Sequence, residues 1–413
     1  MNRIGVIGGG ASGLMAAITA ARRQNTEVFI LEHKEQAGKK LLSTGNGRCN
    51  LTNEKMDTSF FRSEETKYVE EVLKQFGSHE AITFFEGLGL MVRSRNGYIY
   101  PRCEQASVVR GLLVREAEES GVRIHTGVHV TEIIPGKKGF QIQGEHADKT
   151  ARRKERYYAH KVILACGGRA ASVLGSDGSG YTLAKSLGHS LVPVVPALVQ
   201  LKVKDHPLKN AAGVRTEASV SALVDGTEVS ADTGELQITN YGISGIPVFQ
   251  ISRYLAKALY QKRRAEAVID FLPAMSEAEL TEYLQKRSMK ERRKVSEYLT
   301  GIFHEKLTLC LLSLSGISPK KQAKELSGDE IRRFVRQCRH TVLLIQDTNG
   351  FDNAQVCAGG VRLQEACCRT MESRYVEGLY LTGELLDVDG MCGGYNLQWA
   401  WATGWLAGNA AAK

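Results

Sequence analysis

Near the N-terminus an apolar run, Arg3-Ile4-Gly5-Val6-Ile7, leads into Gly8-Gly9-Gly10-Ala11-Ser12-Gly13 and then into an Ala-rich stretch from Leu14 to Arg23. A strand, a Gly-x-Gly-x-x-Gly turn and a helix in that order leave few folds open. A second apolar run from Glu27 to Leu31 completes a βαβ unit. In such a unit Gly8 makes the tight turn, Gly10 lets the backbone approach a pyrophosphate, and Gly13 lets helix and strand pack closely. Ala11 and Ser12 then stand at a helix N-terminus whose partial positive charge faces the phosphates. Glu32 follows about 20 residues after the last glycine, where a carboxylate accepts hydrogen bonds from ribose hydroxyls and repels a ribose 2′-phosphate. Glycines alone would fit an ordinary βαβ turn; strand, spacing and acid together point to a dinucleotide site that disfavours NADP.

Length and composition narrow the class further. A chain of 413 residues calls for two or three domains. No apolar run is long enough to span a bilayer, and Met1 to Gly10 lacks the features of a signal peptide, so a soluble cytoplasmic protein is expected. The nine cysteines are odd in number and contain no Cys-x-x-Cys pair, which argues against a disulfide framework, a zinc ribbon and a dithiol redox centre; no metal site is expected. The net charge of +9 is modest, and its clusters, Gln261 to Arg264 and Lys290 to Lys294, read as solvated helix faces. They lack interleaved stacking aromatics, so nucleic acid is not an expected partner.

Further along, Ser63 to Gly89 has helical spacing, Arg93 to Tyr100 reads as a hairpin about Asn96-Gly97, and Gln105 to Glu119 as a helix. Val122 to Ile134 alternates as a strand, Phe140 to Gln143 continues it, and Lys161 to Cys166 is a buried strand stopping at Gly167-Gly168. Leu191 to Ile251 reads as β structure, and Ser276 to Arg339 as a helical lobe.

Two more segments carry chemistry. Gly38 to Asn53 (GKKLLSTGNGRCNLTN) combines glycines and short polar residues with Lys39, Lys40 and Arg48, a composition suited to a loop laid along a dinucleotide or to a solvated loop. Leu379 to Gln398 holds a strand ending in Gly383, acids able to hold a sugar-alcohol chain, and Gly393-Gly394 opening a helix of small residues. That helix can pack on the N-terminal βαβ unit, and its N-terminus can stabilise negative charge on a reduced flavin ring; a purely structural helix is the alternative.

Taken together, Gly8 to Gly13, Lys39 to Asn53, Ala165 to Gly168, Asn240 to Pro247 and Gly378 to Gly404 resemble the bacterial FAD-binding flavoprotein family that includes aminoacetone oxidases and the 3-dehydro-bile acid delta(4,6)-reductase. The resemblance runs end to end. It implies an α/β fold: a glutathione-reductase-like Rossmann FAD domain from residues 1–190 and 350–413, an inserted β-barrel-like domain from 191–275 and 337–349, and a helical insert at 276–336. It also implies that Ser12 and Glu32 serve the adenosine and pyrophosphate, and that Lys40, Thr44, Gly45, Asn46, Gly47, Arg48, Cys49 and Asn50 run along the FAD. The backbone at Val130 would touch the adenine, Gly383 and Asp387 the ribityl end, and Asn396 and Leu397 the flavin ring. The sequence departs from the family pattern at Cys166, where Ala-Thr-Gly-Gly is expected, and at Asn240-Tyr241, where Thr-His is expected.

No second strand-glycine-helix unit is present for a resident nicotinamide, so a transient donor, NAD(P)H or a redox protein, or the substrate itself must reduce the flavin. Three functions fit: a reductase of conjugated 3-oxo bile acids or steroids, an amine oxidase using oxygen, and a non-catalytic FAD-binding protein. Arg48, Tyr98, Tyr100, Arg102 and Tyr241 are the candidate groups toward a small-molecule substrate, with Tyr241 and Arg48 the first choices for proton donor or enolate partner. Only 7% of residues are aromatic, and the three tryptophans lie between Trp399 and Trp405, which favours the reductase over an oxidase needing an aromatic enclosure for an amine.

Overall fold

A computed structural model describes residues 1–147, 152–289 and 291–413; Lys290 of the second basic cluster falls outside them. These residues form two compact units, Met1–Val194 with Gln355–Lys413, and Val195–Ala354.

The first unit is built on a five-stranded sheet. Strand β1, Asn2–Ile7, lies at its centre between β2, Thr26–Glu32, and the strand Lys161–Leu164, with Leu379–Leu381 and Arg123–Thr126 at the edges. Every pairing is parallel, Ile4 lying opposite both Val28 and Lys161. A parallel sheet is covered on both faces, which is why these strands read as apolar runs without alternation. Helix α1, Ala11–Ala21, begins three positions before the Leu14 that apolar spacing marks, inside the glycine turn itself. Small residues carry no hydrophobic periodicity, so the spacing could not show its first turn.

The segment Val122 to Ile134, expected as one strand, is two. Arg123–Thr126 completes the parallel sheet, Gly127 turns the chain at φ +75°, and Val128–Gly136 enters an antiparallel meander with Gly139–Ala147 and Arg152–Ala159, in which Val130 pairs with Gly144. The alternation in sequence continues across the turn, although Arg123–Thr126 is an edge strand without a fully buried residue and only the second strand buries one face, at Val128, Val130 and Ile133.

The C-terminal helix, Tyr395–Ala411, lies along α1 with backbone nearly touching backbone. A Cβ on Gly404 would stand 2.4 Å from the Ser12 carbonyl oxygen, and one on Gly408 2.4 Å from that of Ala16. Both ends of the chain therefore belong to one core, which buries Leu14, Ile18, Trp399 and Trp401 completely or almost so.

The second unit contains a closed six-stranded barrel in the order Leu201–Val203, Gly242–Gly245, Thr227–Ile238, Arg215–Val224, Ala265–Asp270 and Thr341–Thr348. Ala218, Val220, Ala222 and Val224 point inward along one strand. β structure does not run through Ile251 as expected: Pro247 sits in the first turn of a helix, Ile246–Tyr260, where its fixed φ suits helix initiation. The helices Glu277–Ser288 and Gly328–Arg339 each open with a capping box, Ser276 with Glu279 and Ser327 with Glu330.

The closeness of the two helices reverses the usual effect of removing a helical glycine. In a helix with space around it, glycine to alanine adds about 1 kcal/mol. Here Gly404→Ala must push two backbones apart and is expected to lose roughly 1–3 kcal/mol, read as a lower melting temperature; a stabilised variant would mean that the helices do not touch.

Candidate functional site

The glycine turn is tightly packed at two of its three motif glycines. A Cβ on Gly8 would lie 2.5 Å from the Ala165 carbonyl oxygen, at the end of the neighbouring strand, and one on Gly13 2.0 Å from the Gly8 carbonyl oxygen. These two glycines are needed by the protein's own packing. Gly10 differs: its φ of −79° is open to any residue, and a Cβ there would meet nothing within 4 Å. The space in front of Gly10, at the N-terminus of α1, is what a pyrophosphate needs to reach the backbone amides, so the turn fits a dinucleotide.

Glu32 ends β2 beside that turn and is almost fully buried. One carboxylate oxygen accepts the Gly9 N–H at 2.7 Å and the other the Lys34 N–H at 2.8 Å. Each oxygen keeps a second lone pair for a ribose hydroxyl. Glu32 thus shapes the turn, a duty that the sequence does not disclose. His33 lies 3.5 Å from Glu32 and faces His129 edge-on; burial lowers its pKa, against the opposing pull of Glu32. Val130 is buried in the adjoining meander, next to a register shift that leaves Thr131 as a bulge.

The segment from Lys39 onward is no loose loop. It forms 3₁₀ turns over Lys39–Gly47, broken where Gly45 and Asn46 adopt left-handed φ values of +56° and +55°. The Cys49 N–H returns to the Thr44 carbonyl at 3.0 Å, and the Leu51 N–H donates to Ile99 at 2.8 Å. Lys40 crosses the unit to donate to Glu384 at 3.1 Å and to the Ala170 carbonyl at 3.1 Å, and a second Glu384 oxygen accepts the Cys357 N–H at 2.8 Å. No pattern in one sequence links Lys40 to Glu384, so this strut was missed.

The same segment is tied to the entry of the C-terminal helix. Asn50 donates its amide to the Thr52 and Ile99 carbonyls and accepts the Gly394 N–H at 3.2 Å. Asn53 donates to the Gly393 carbonyl at 3.0 Å, Thr52 to the Gln398 side chain at 2.7 Å, and the Trp401 indole to the Leu51 carbonyl at 3.0 Å. At the other end of the entry, Gly383 donates to the Thr403 hydroxyl at 2.9 Å and accepts from the Trp399 indole at 3.1 Å, while its own missing Cβ makes room for the Ser12 hydroxyl. Asn396 uses both amide atoms on Gly390, each at 2.8 Å. Asp387 is buried just before this turn, and Leu397 is half-buried on the helix's first turn.

The first unit therefore brings together Gly8, Gly10, Ala11, Ser12, Gly13 and Gly383, and joins Thr44 to Asn50 with Gly393 to Leu397. Tyr98 and Tyr100, on the strand Tyr98–Pro101, stand on the same side: a Cβ on Gly393 would be 2.8 Å from the Tyr98 ring, and one on Gly45 3.5 Å from that of Tyr100. Arg48 is about half exposed and 3.9 Å from Glu104, and Arg102 is exposed. Burial holds the Tyr100 phenol above its usual range, while Arg48 and Arg95 pull it back. Tyr241 belongs to the second unit, where its carbonyl accepts the Val203 N–H at 3.0 Å. Burial pushes the thiols of Cys49 and Cys166 up to about 12, so both stay protonated and supply no thiolate chemistry.

Two substitutions separate the binding duty from the structural one. Gly10→Ala fills only open space; it should leave the melting temperature of cofactor-free protein unchanged and weaken FAD binding by roughly tenfold or more, about 1.4 kcal/mol. Glu32→Ala strands the Gly9 and Lys34 N–H groups and should lower both, costing about 1–3 kcal/mol of stability. Fluorescence titration with FAD and thermal melts of the apoprotein check both.

Among the described residues no helix is long and apolar enough to cross a membrane. The model of the HI0933-like protein Rossmann domain matches residues 2–410. The chain is 56% identical to the 3-dehydro-bile acid delta(4,6)-reductase of Clostridium scindens over 100% of both proteins. It is 26% identical to the ribosomal RNA dihydrouridine synthase of Escherichia coli over 97% of this chain and 95% of that one. Among solved structures, 3-ketosteroid-delta4-(5alpha)-dehydrogenase from Rhodococcus jostii, in complex with 4-androstene-3,17-dione, shares the fold with a TM-score of 0.51 at 17% identity, over 100% of this chain and 97% of that one. The chain belongs to the HI0933-like Rossmann-domain family, and within it is an oxidoreductase with a flavin-binding fold.

Proposed function

We propose that the protein is an FAD-dependent reductase of carbon–carbon double bonds conjugated to a ketone, with a 3-oxo-4-ene or 3-oxo-4,6-diene bile acid or steroid as substrate. The observation that carries this reading is the end-to-end identity with a reductase named for that substrate class. The more distant relatives are consistent with the reaction type, since a dihydrouridine is a uridine whose carbonyl-conjugated double bond has taken up two hydrogens. FAD is preferred to FMN because the space at Gly10 suits a pyrophosphate and Glu32 an adenosine ribose.

When bound, the flavin supplies a hydride to the β-carbon of the enone. The chain's own residues must polarise the ketone and deliver a proton. Arg48 is a permanent cation suited to an enolate oxygen. Tyr100 lies within electrostatic reach of it and of Tyr98, and its phenol, held above its usual range, keeps its proton at neutral pH. Tyr241 is the alternative proton donor in this reading. Lys40, Thr44, Asn46, Asn50, Asp387, Asn396 and Leu397 are assigned to the FAD, several through the backbone they position. Reducing equivalents come from NAD(P)H or a redox protein in the cytoplasm.

The tryptophan side chains support a reductase over an amine oxidase. Trp399 and Trp401 are buried in the core with their indole N–H groups on backbone carbonyls, and Trp405 packs against Phe76. None is left to enclose an amine.

Mixing the photoreduced enzyme anaerobically with a 3-oxo-4-ene bile acid should reoxidise the flavin at a rate on the order of 1–10³ s⁻¹. Tyr241→Phe should slow that step by roughly 10²-fold or more with FAD content unchanged, and Arg48→Ala should slow it by a similar factor when measured at saturating FAD. A flavin that stays reduced with the steroid, in an enzyme whose oxidised form is readily reduced by aminoacetone, would replace this reading with the oxidase.

A further inference from the structure

The hairpin of Val92–Arg95 and Tyr98–Pro101 sorts its side chains onto two faces. Residues directly opposite across an antiparallel pair share a face, and here Arg93 lies opposite Tyr100 and Arg95 opposite Tyr98. The alternate face carries Ile99 and Pro101, both buried. Arg95 and Tyr98 are exposed and Arg93 and Tyr100 half-buried, so two arginines and two tyrosines are gathered on the accessible face.

That face borders both glycine turns assigned above to the cofactor. A Cβ on Gly45 would stand 3.5 Å from the Tyr100 ring, and one on Gly393 2.8 Å from the Tyr98 ring and 3.1 Å from that of Tyr395. Tyr395 in turn stacks on Phe60 with ring centroids 4.8 Å apart, so the charged face adjoins an aromatic one. Positive charge is in excess on it. Arg93 pairs with Glu104, which Arg48 also approaches at 3.9 Å, so two arginines share one carboxylate. Arg95 joins no ion pair among the described residues, and its charge and that of Arg48 both reach the Tyr100 phenol. Glu54 is the further acid here, at the Asn96-Gly97 tip, with an oxygen 3.9 Å from where a Cβ on Gly97 would stand. Three arginines therefore face two acids beside an aromatic surface, which is the surrounding that an apolar molecule with one anionic end calls for.

We propose that this hairpin face is a specificity site for a carboxylate carried by the substrate, with Arg95 as the group that pairs with it and Tyr98 and Tyr395 beside the apolar body. The inference rests on the reading above that the substrate is an enone of the bile-acid or steroid class, and it selects the acids within that class over neutral steroids. Arg95 takes no part in hydride or proton transfer; it discriminates between substrates by charge, so its effect belongs to binding and weakens as salt screens the exposed guanidinium.

The test measures binding to the oxidised holoenzyme by titration calorimetry, using a saturated 3-oxo bile acid, which has no double bond to be reduced, and its methyl ester. The acid should bind roughly tenfold more tightly than the ester at low salt. Arg95→Ala should bring that ratio close to one, and Arg95→Lys should keep most of it, with the melting temperature unchanged in both variants. Equal affinity for acid and ester, a ratio that survives Arg95→Ala, or binding of neither compound would overturn the proposal. Turnover of the corresponding enones separates this site from the reading beneath it. A protein that binds the acid through Arg95 but reduces no enone would overturn the reductase and leave the anion site standing, whereas equal turnover of enone acid and enone ester, with and without Arg95, would overturn the anion site and leave the reductase.

Discussion

The architecture depends on two helices that touch through their backbones. Gly404 and Gly408 present no side chain to α1, so the carbonyls of Ser12 and Ala16 come close enough that a single added carbon on either glycine would overlap them. Dispersion and burial at that distance hold the last 17-residue helix against the first one, although they are separated by nearly the whole chain. With the helices locked, Gly383 meets Ser12, and the second glycine-rich stretch is set beside the first. The candidate cofactor site is a consequence of this contact.

Polar side chains around the site do mostly structural work. Glu32, Asn50, Asn53, Thr52, Thr403 and Asn396 satisfy backbone or side-chain groups of the neighbouring turn. Buried donors and acceptors left unpaired would each cost about 1–3 kcal/mol, so turns rich in left-handed residues need such partners. The surface toward a ligand is then largely backbone, as at Gly10, which suits recognition of phosphates and of a flat ring better than recognition of a particular side-chain shape. Burial raises the thiols of Cys49 and Cys166 near the turns, so neither supplies a thiolate.

Much of the first unit is legible in the sequence because parallel strands are continuous apolar runs and the Gly8 to Gly13 turn has a fixed spacing. What the sequence hides has definite causes. The first turn of α1 is made of Ala11, Ser12 and Gly13, too small for periodicity. Gly127 breaks a strand without breaking alternation, and Pro247 starts a helix inside a Val- and Gly-rich stretch. Side-chain ties such as Lys40 to Glu384 and Asn50 to Gly394 span hundreds of residues and leave no local pattern. The acid at Glu32 was visible, but its hold on the Gly9 N–H was not. Arg48, Tyr98 and Tyr100 stand out in the sequence only by their place beside the motifs; the hairpin carries Tyr98 and Tyr100, and Tyr241 belongs to the other unit.

The central claim is that one dinucleotide site is shared by the two ends of the chain. Backbone hydrogen exchange with and without bound FAD measures this directly. Protection on binding should appear in both 8–13 and 383–397, together with the 44–50 turn that connects them. Protection confined to 8–13 and 32, with the C-terminal segment unchanged, would contradict the account.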